Sequence, residues 1–132
     1  IPSRLDATRL PNKPLLKIST GNAEHYQWGE ETKNGNCDGW HLVKSPNLSV
    51  IQESVPPGGA EISHYHQHAE QFFFVLSGVA TLEVENEVYQ LQPHQGMHIP
   101  AGIVHQLRNE HSAQLSFIVT STPPSHGDRV NI

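Results

Sequence analysis

The segment His64-Tyr65-His66-Gln67-His68-Ala69-Glu70-Gln71 holds the residues best suited to chemistry, and His105 joins them from downstream. Side chains alternate along a strand, so His64 and His66, at i and i+2, point to one face. Imidazole nitrogens combined with a carbonyl or carboxylate oxygen suit a divalent first-row metal. A third histidine and a Glu or Gln would complete such a set. The chemistry in view is metal-centred: a bound oxygen is polarised, or a ligand is activated at an open coordination position.

Other elements must bring these residues together. The chain has 132 residues, the length of one domain. That length buries a core without covalent staples. The formal net charge is −5, and the eight Lys and Arg form no cluster. A nucleic-acid partner, which needs a basic stripe, is not expected. The single cysteine, Cys37, has no internal disulfide partner. It stands beside Asp38 in a polar stretch, which raises a thiol pKa rather than lowering it, so Cys37 is not read as a nucleophile. The longest apolar run, Phe72 to Leu76, is strand-sized, so no membrane partner is expected. No start resembling a signal peptide is present, and the expected location is cytoplasmic.

Residues 1 to 16 carry Pro2, Pro11 and Pro14 and read as an extended arm, packed on the domain or on a partner subunit. Gly21 to Gly39 is rich in Gly, Asn, Glu and Asp and reads as loop. From Trp40 the pattern turns to β. Trp40–Lys44 and Leu48–Val55 flank Ser45-Pro46-Asn47 as a hairpin, and Pro56-Pro57-Gly58-Gly59 stops its second strand. Strands are also expected at Glu70–Leu76, Val79–Val84, Glu87–Leu91, Met97–Ile99 and Leu115–Thr120. Ser77-Gly78, Glu85-Asn86, Pro93–Gly96 and Ala101-Gly102 supply turns. No window carries helical periodicity. The expected organisation is an arm and loop over 1–39, a β-barrel over 40–122 and a tail over 123–132. Short strands with Gly/Pro punctuation make the fold class all-β, a sandwich or barrel.

Two segments resemble the paired motifs of the cupin superfamily. Gly58-x5-His64-x-His66-x4-Gln71-x6-Gly78 is similar to the first motif, and Pro100-x-Gly102-x2-His105-x3-Asn109 to the second. The resemblance implies a small double-stranded β-helix, or jelly-roll, barrel of the single-domain kind. It implies one divalent transition metal (iron, manganese, nickel or zinc) held by His64, His66, Gln71 and His105. It also implies a homodimer and a small-molecule substrate or ligand. The chain departs from the family pattern in three places. Gln71 stands where the family usually has Glu, with Glu70 beside it. His94-Gln95 replaces the usual Gly-Asp opening of the second motif. A long N-terminal arm precedes the first motif.

Strand parity lets only one of Glu70 and Gln71 face the barrel. If Gln71 faces in, Phe73 and Val75 do too, and Phe72, Phe74 and Leu76 face out and need cover, which favours a dimer. If Glu70 faces in, Phe72 and Phe74 fill the barrel. Motif spacing favours Gln71. Three neutral imidazoles and an amide leave the full 2+ charge on a metal, whereas Glu would reduce it to 1+. The Gln site is the stronger Lewis acid towards a carboxylate, enolate or hydroxy-ketone.

His98, on the strand before Pro100, is the candidate catalytic acid or base if it points inward. Glu53 is a second candidate. His68 reads as a rim residue, Trp28 and Trp40 as core or arm anchors, and Asn109 as a turn-bonding residue. His126 and Asp128 could pair or lie over the barrel mouth. Three functions follow. The first is isomerase- or lyase-type Lewis-acid chemistry on a small carboxylate- or hydroxyl-bearing molecule. The second is an Fe(II) dioxygenase. The third is a non-catalytic metal-bound sensor or ligand-binding barrel.

Overall fold

A computed structural model describes residues 17–132. The expected arm over residues 1–16 lies outside the described residues. The strands are β1 (Glu24–Thr32), β2 (Gly35–Lys44), β3 (Ser49–Val55), β4 (His64–His66), β5 (Glu70–Ser77), β6 (Ala80–Val84), β7 (Glu87–Leu91), β8 (Gly96–Ile99), β9 (His105–Arg108), β10 (Leu115–Thr122) and β11 (Arg129–Asn131). They form two antiparallel sheets. One is ordered β1-β2-β3-β10-β5-β8 and the other β11-β4-β9-β6-β7. The all-β jelly-roll expectation holds. Among the described residues no helix is long and apolar enough to cross a membrane.

Period-two alternation builds the interior. On β10, Leu115, Phe117, Val119 and Ser121 are buried while their neighbours are not. β5 alternates in step, with Gln71, Phe73 and Val75 buried. Register couples the two: Ser121 stands opposite Gln71, Val119 opposite Phe73 and Phe117 opposite Val75. From the other sheet, Leu82 and Leu107 complete the core. Each such large apolar side chain contributes about 1.5–3 kcal/mol on burial. The β6–β7 hairpin turns on Glu85 and Asn86, at φ 52° and 71°. Two consecutive left-handed residues make the hairpin turn whose twist matches the strands.

Two sequence expectations are corrected. The stretch read as loop, Gly21 to Gly39, is mostly the β1–β2 hairpin, with Tyr26 opposite Gly39 and Trp28 opposite Cys37. Cys37 is accordingly a fully buried core residue rather than a loop residue. The C-terminal tail is not only coil: β11 pairs with β4, setting Arg129 opposite His66 and Asn131 opposite His64. His94, where the family pattern has glycine, takes a left-handed φ of 67°, so the turn is kept without the glycine.

Candidate metal centre

β4 is short, and its parity sends His64 and His66 inward, 2% and 5% exposed. β9 begins at His105, which stands directly opposite His64. The ring centroids of His64 lie 4.4 Å from His105 and 4.9 Å from His66. One ring nitrogen from each of the three histidines lies within 4.8 Å of the others, a grouping that could hold a metal ion.

Peptide carbonyls set two of the tautomers. His64 Nδ1 donates to the Ile62 carbonyl at 2.6 Å, and His105 Nδ1 donates to the Ile103 carbonyl at 2.9 Å. A carbonyl only accepts, so each Nδ1 carries the proton and each Nε2 keeps a lone pair. Burial holds the His64 imidazole down at about 3, helped by the charges of His105, Arg129 and His66 and opposed by the Ile62 bond. Burial likewise lowers His66 and His105. All three are therefore neutral at neutral pH, the form a metal requires. The buried Nδ1 of His66 has no hydrogen-bond partner.

Gln71 is the inward residue of the Glu70-Gln71 pair and is 7% exposed. Its Nε2 donates to Ser121 Oγ at 3.0 Å, which turns Oε1 towards His105 Nε2 at 3.2 Å. Both of these atoms are acceptors, and no proton lies between them in the tautomer that Ile103 sets. A cation between them reconciles the contact. The donor set, three imidazole nitrogens and an amide oxygen, suits a divalent transition metal. The residues present fit the group that the resemblance implies.

Other predicted residues fall elsewhere. His98 does not point inward. It lies on β8 opposite outward-facing Phe72, and its Nε2 meets Glu70 Oε1 at 2.8 Å on the outer face. Parity explains this, since its neighbours Met97 and Ile99 take the inner positions opposite Phe73 and Gln71. His98 therefore has no access to the barrel interior. His68 is exposed, as a rim residue would be. Asn109 bonds the Val55 and Ala113 carbonyls and accepts from the His111 amide, a turn-holding role. Trp28 packs on the core and donates to the Asp38 carbonyl, while Trp40 lies against His25 with the rings tilted. Glu53 is on the inner face, opposite Phe117.

Sequence reasoning missed Ser121, and it left Asp128 without its actual partners. Ser121 is the polar end of an otherwise apolar inward series on β10, and that parity is the signal that could have found it. Asp128 caps the loop after His66. Its carboxylate accepts from the amides of Gln67, His68 and Ala69 at 3.1, 2.9 and 2.8 Å. Burial alone would raise this carboxyl, but the backbone hydrogen bonds and His68 outweigh it and hold it below the usual range. Arg129 follows directly and shares the inner face with His66.

The family model for the cupin domain matches residues 52–121. The chain is 32% identical over 109 residues to a quercetin 2,3-dioxygenase of Bacillus subtilis, covering 78% of this chain and 30% of that one. It therefore spans less than a third of that relative. Its fold is similar to the polyketide cyclase RemF from Streptomyces resistomycificus, with a TM-score of 0.76, 17% identity, and coverage of 90% of this chain and 86% of that one. It also resembles a putative sugar phosphate isomerase from Acidithiobacillus ferrooxidans, with a TM-score of 0.55, 26% identity, and coverage of 58% and 50%. With both sequence motifs on the barrel walls and their histidines facing one another inside, the chain belongs to the cupin family.

Proposed function

We propose that the barrel binds one divalent transition metal through His64, His66, His105 and Gln71. We further propose that it acts on a small carboxylate- or hydroxyl-bearing molecule by Lewis-acid chemistry of the isomerase or lyase type. The observation that carries this reading is the approach of Gln71 Oε1 to His105 Nε2 at 3.2 Å, two acceptors turned to one point. When bound, the metal supplies an electrophile for a carbonyl or carboxylate oxygen. The amide in place of a carboxylate leaves more of the metal's charge for that task. The chain's own contribution is to hold three neutral imidazoles in a dry wall and to orient the amide through Ser121. The likeness to the putative sugar phosphate isomerase supports the isomerase reading.

The test is elemental analysis of untagged protein, wild type and His66→Ala. Near-stoichiometric metal in the wild type, lost in the variant, is the expected result. Wild type that stays metal-free after reconstitution with zinc, nickel, manganese or iron would sink it and leave a ligand-binding barrel. A second reading, an Fe(II) dioxygenase, draws support from the quercetin 2,3-dioxygenase relative. Oxygen uptake by the iron-loaded protein with a flavonol, catechol or diketone would favour it over the first.

A further inference from the structure

We propose that Arg129 binds the carboxylate of the substrate beside the candidate metal centre, and so selects a small oxo- or hydroxy-acid over a neutral molecule of the same shape. The proposal rests on the Lewis-acid reading above and adds the residue that recognises the anion.

Arg129 lies on β11, outside the residues that the family model matches. Its place follows from register. The Gln67 amide donates to the Asp128 carbonyl and the Ile132 amide to the Ser63 carbonyl, so these are bonded pairs of the β4–β11 ladder. Arg129 opposite His66, and Asn131 opposite His64, are then the pairs between hydrogen bonds, where side chains stand closest. Directly opposed residues share a face, and His64 and His66 face inward. The Arg129 side chain therefore leaves the backbone one strand spacing, about 5 Å, from His66.

Hydrogen bonds carry the guanidinium along the wall towards His64. Its Nε donates to Asn131 Oδ1 at 2.9 Å, and its Nη2 donates to the Ile62 carbonyl at 3.1 Å. That same carbonyl accepts from His64 Nδ1 at 2.6 Å. One oxygen thus fixes both the His64 tautomer and the guanidinium. The guanidinium lies towards the Nδ1 edge of the His64 ring, and the Nε2 lone pair is at the other edge. A ligand touching both spans that ring and one carbonyl, the length of a short-chain acid. Arg129 and Asn131 are exposed, so such a ligand reaches the guanidinium from solvent.

The guanidinium is held but not neutralised. Nη1 has no acceptor, and no carboxylate pairs with Arg129, among the described residues. The acids that could compete are bonded elsewhere. Asp128 gathers the amides after His66, and Glu61 Oε1 accepts from the Leu107 amide at 3.0 Å. Glu53 Oε2 accepts from Tyr26 Oη at 2.8 Å, the Tyr26 ring lying over Gly39, where a Cβ would overlap it. Of the other described cations, Lys44 pairs with Glu24 and Arg108 with Glu83 and Glu110, while Lys17 and Lys33 lie outside the strands. Arginine is a permanent cation whose planar fork matches a carboxylate. Gln71 favours the same ligand, because Glu in its place would set a negative charge close to the incoming acid. A single free cation suits a carboxylate rather than a phosphate dianion.

The experiment is an NMR titration of the full chain labelled with 15N-arginine, metal-free and zinc-reconstituted. The probe is levulinate, a short oxo-acid, with its neutral methyl ester as control. The Arg129 Nε–H signal, identified by its absence in Arg129→Gln, should move and saturate with levulinate and stay in place with the ester. Arg129→Gln should keep stoichiometric zinc and bind levulinate about tenfold or more weakly. Arg129→Lys should fall between, since it keeps the charge and loses the fork. A wild-type signal that ignores levulinate or moves equally with the ester, or Arg129→Gln that binds levulinate as wild type does, overturns the proposal. Inorganic phosphate saturating the signal at a lower concentration than levulinate overturns it too, in favour of a phosphate ligand. Levulinate binding that needs Arg129 but is unchanged by zinc upholds this role and tells against the Lewis-acid reading. Stoichiometric zinc in a protein whose Arg129 signal ignores levulinate does the reverse.

Discussion

At the residue scale, Gln71 determines what kind of centre this is, and Ser121 determines which way Gln71 faces. A primary amide can present either its oxygen or its nitrogen. With Nε2 on Ser121, the oxygen faces His105 and a cation is favoured there. Ser121→Ala removes that anchor from a site only 2% exposed. The amide can then turn its NH2 to the His105 lone pair, which satisfies both groups without metal. Loss of such an orienting partner weakens metal binding by about 10–100-fold. Competition with a fluorescent zinc chelator measures it, and unchanged affinity would show that Ser121 does not orient the amide. The three histidines and Gln71 were legible in the sequence: i and i+2 spacing sets His64 and His66 on one face, parity admits only one of Glu70 and Gln71, and the resemblance to the cupin motifs singled out Gln71 and His105. Ser121 sits fifty residues from Gln71 in sequence. A single hydrogen bond over that separation leaves no local pattern.

At the element scale, the β4–β5 connection has the least regular structure and the most to do. It carries the chain from His66 to Gln71, and Asp128 gathers three of its amides. The capped loop in turn sets β11 beside β4. Asp128→Ala should expose the amides of Gln67, His68 and Ala69 to fast hydrogen exchange, leaving those of β10 protected. It should also loosen metal without removing any ligand. Equal protection of these amides in both proteins would show that the loop holds itself. The elements read correctly were those with clear alternation, such as β5 and β10. The β1–β2 hairpin was read as loop because its outer face is solvated and Gly-, Asn- and Glu-rich. Its inner face left a sparse trace, Tyr26/Trp28 and Cys37/Gly39, each pair at i and i+2. In β11 the run Arg-Val-Asn is too short to show any period, and its pairing with β4 supplies its order.

At the scale of the whole molecule, packing the inner face leaves an aromatic outer face. Phe72 is 43% exposed and stacks on Phe74, beside the surface pair of His98 and Glu70. Water wets this patch at a cost that a second copy would relieve. The expected result from light scattering is a mass twice 14.7 kDa, falling towards the monomer in Phe72→Ser. A monomeric wild type, or a variant that stays dimeric, would count against that face as the contact. Taken alone, the sequence determined the all-β class, the inward set of His64, His66 and Gln71, and the match of His105 to the second motif. The class and the shared face of His64 and His66 follow from side-chain alternation and from turn residues, which act over a few positions, whereas Gln71 and His105 follow from the resemblance to the cupin motifs. Tertiary structure alone decided that His98 lies outside the barrel and that Asp128 caps the loop after His66. It alone brought Tyr26 to Glu53 over Gly39 and set Arg129 opposite His66. The reason is geometric: strand register and sheet order place residues beside one another that are distant in the chain, and no local periodicity encodes that placement.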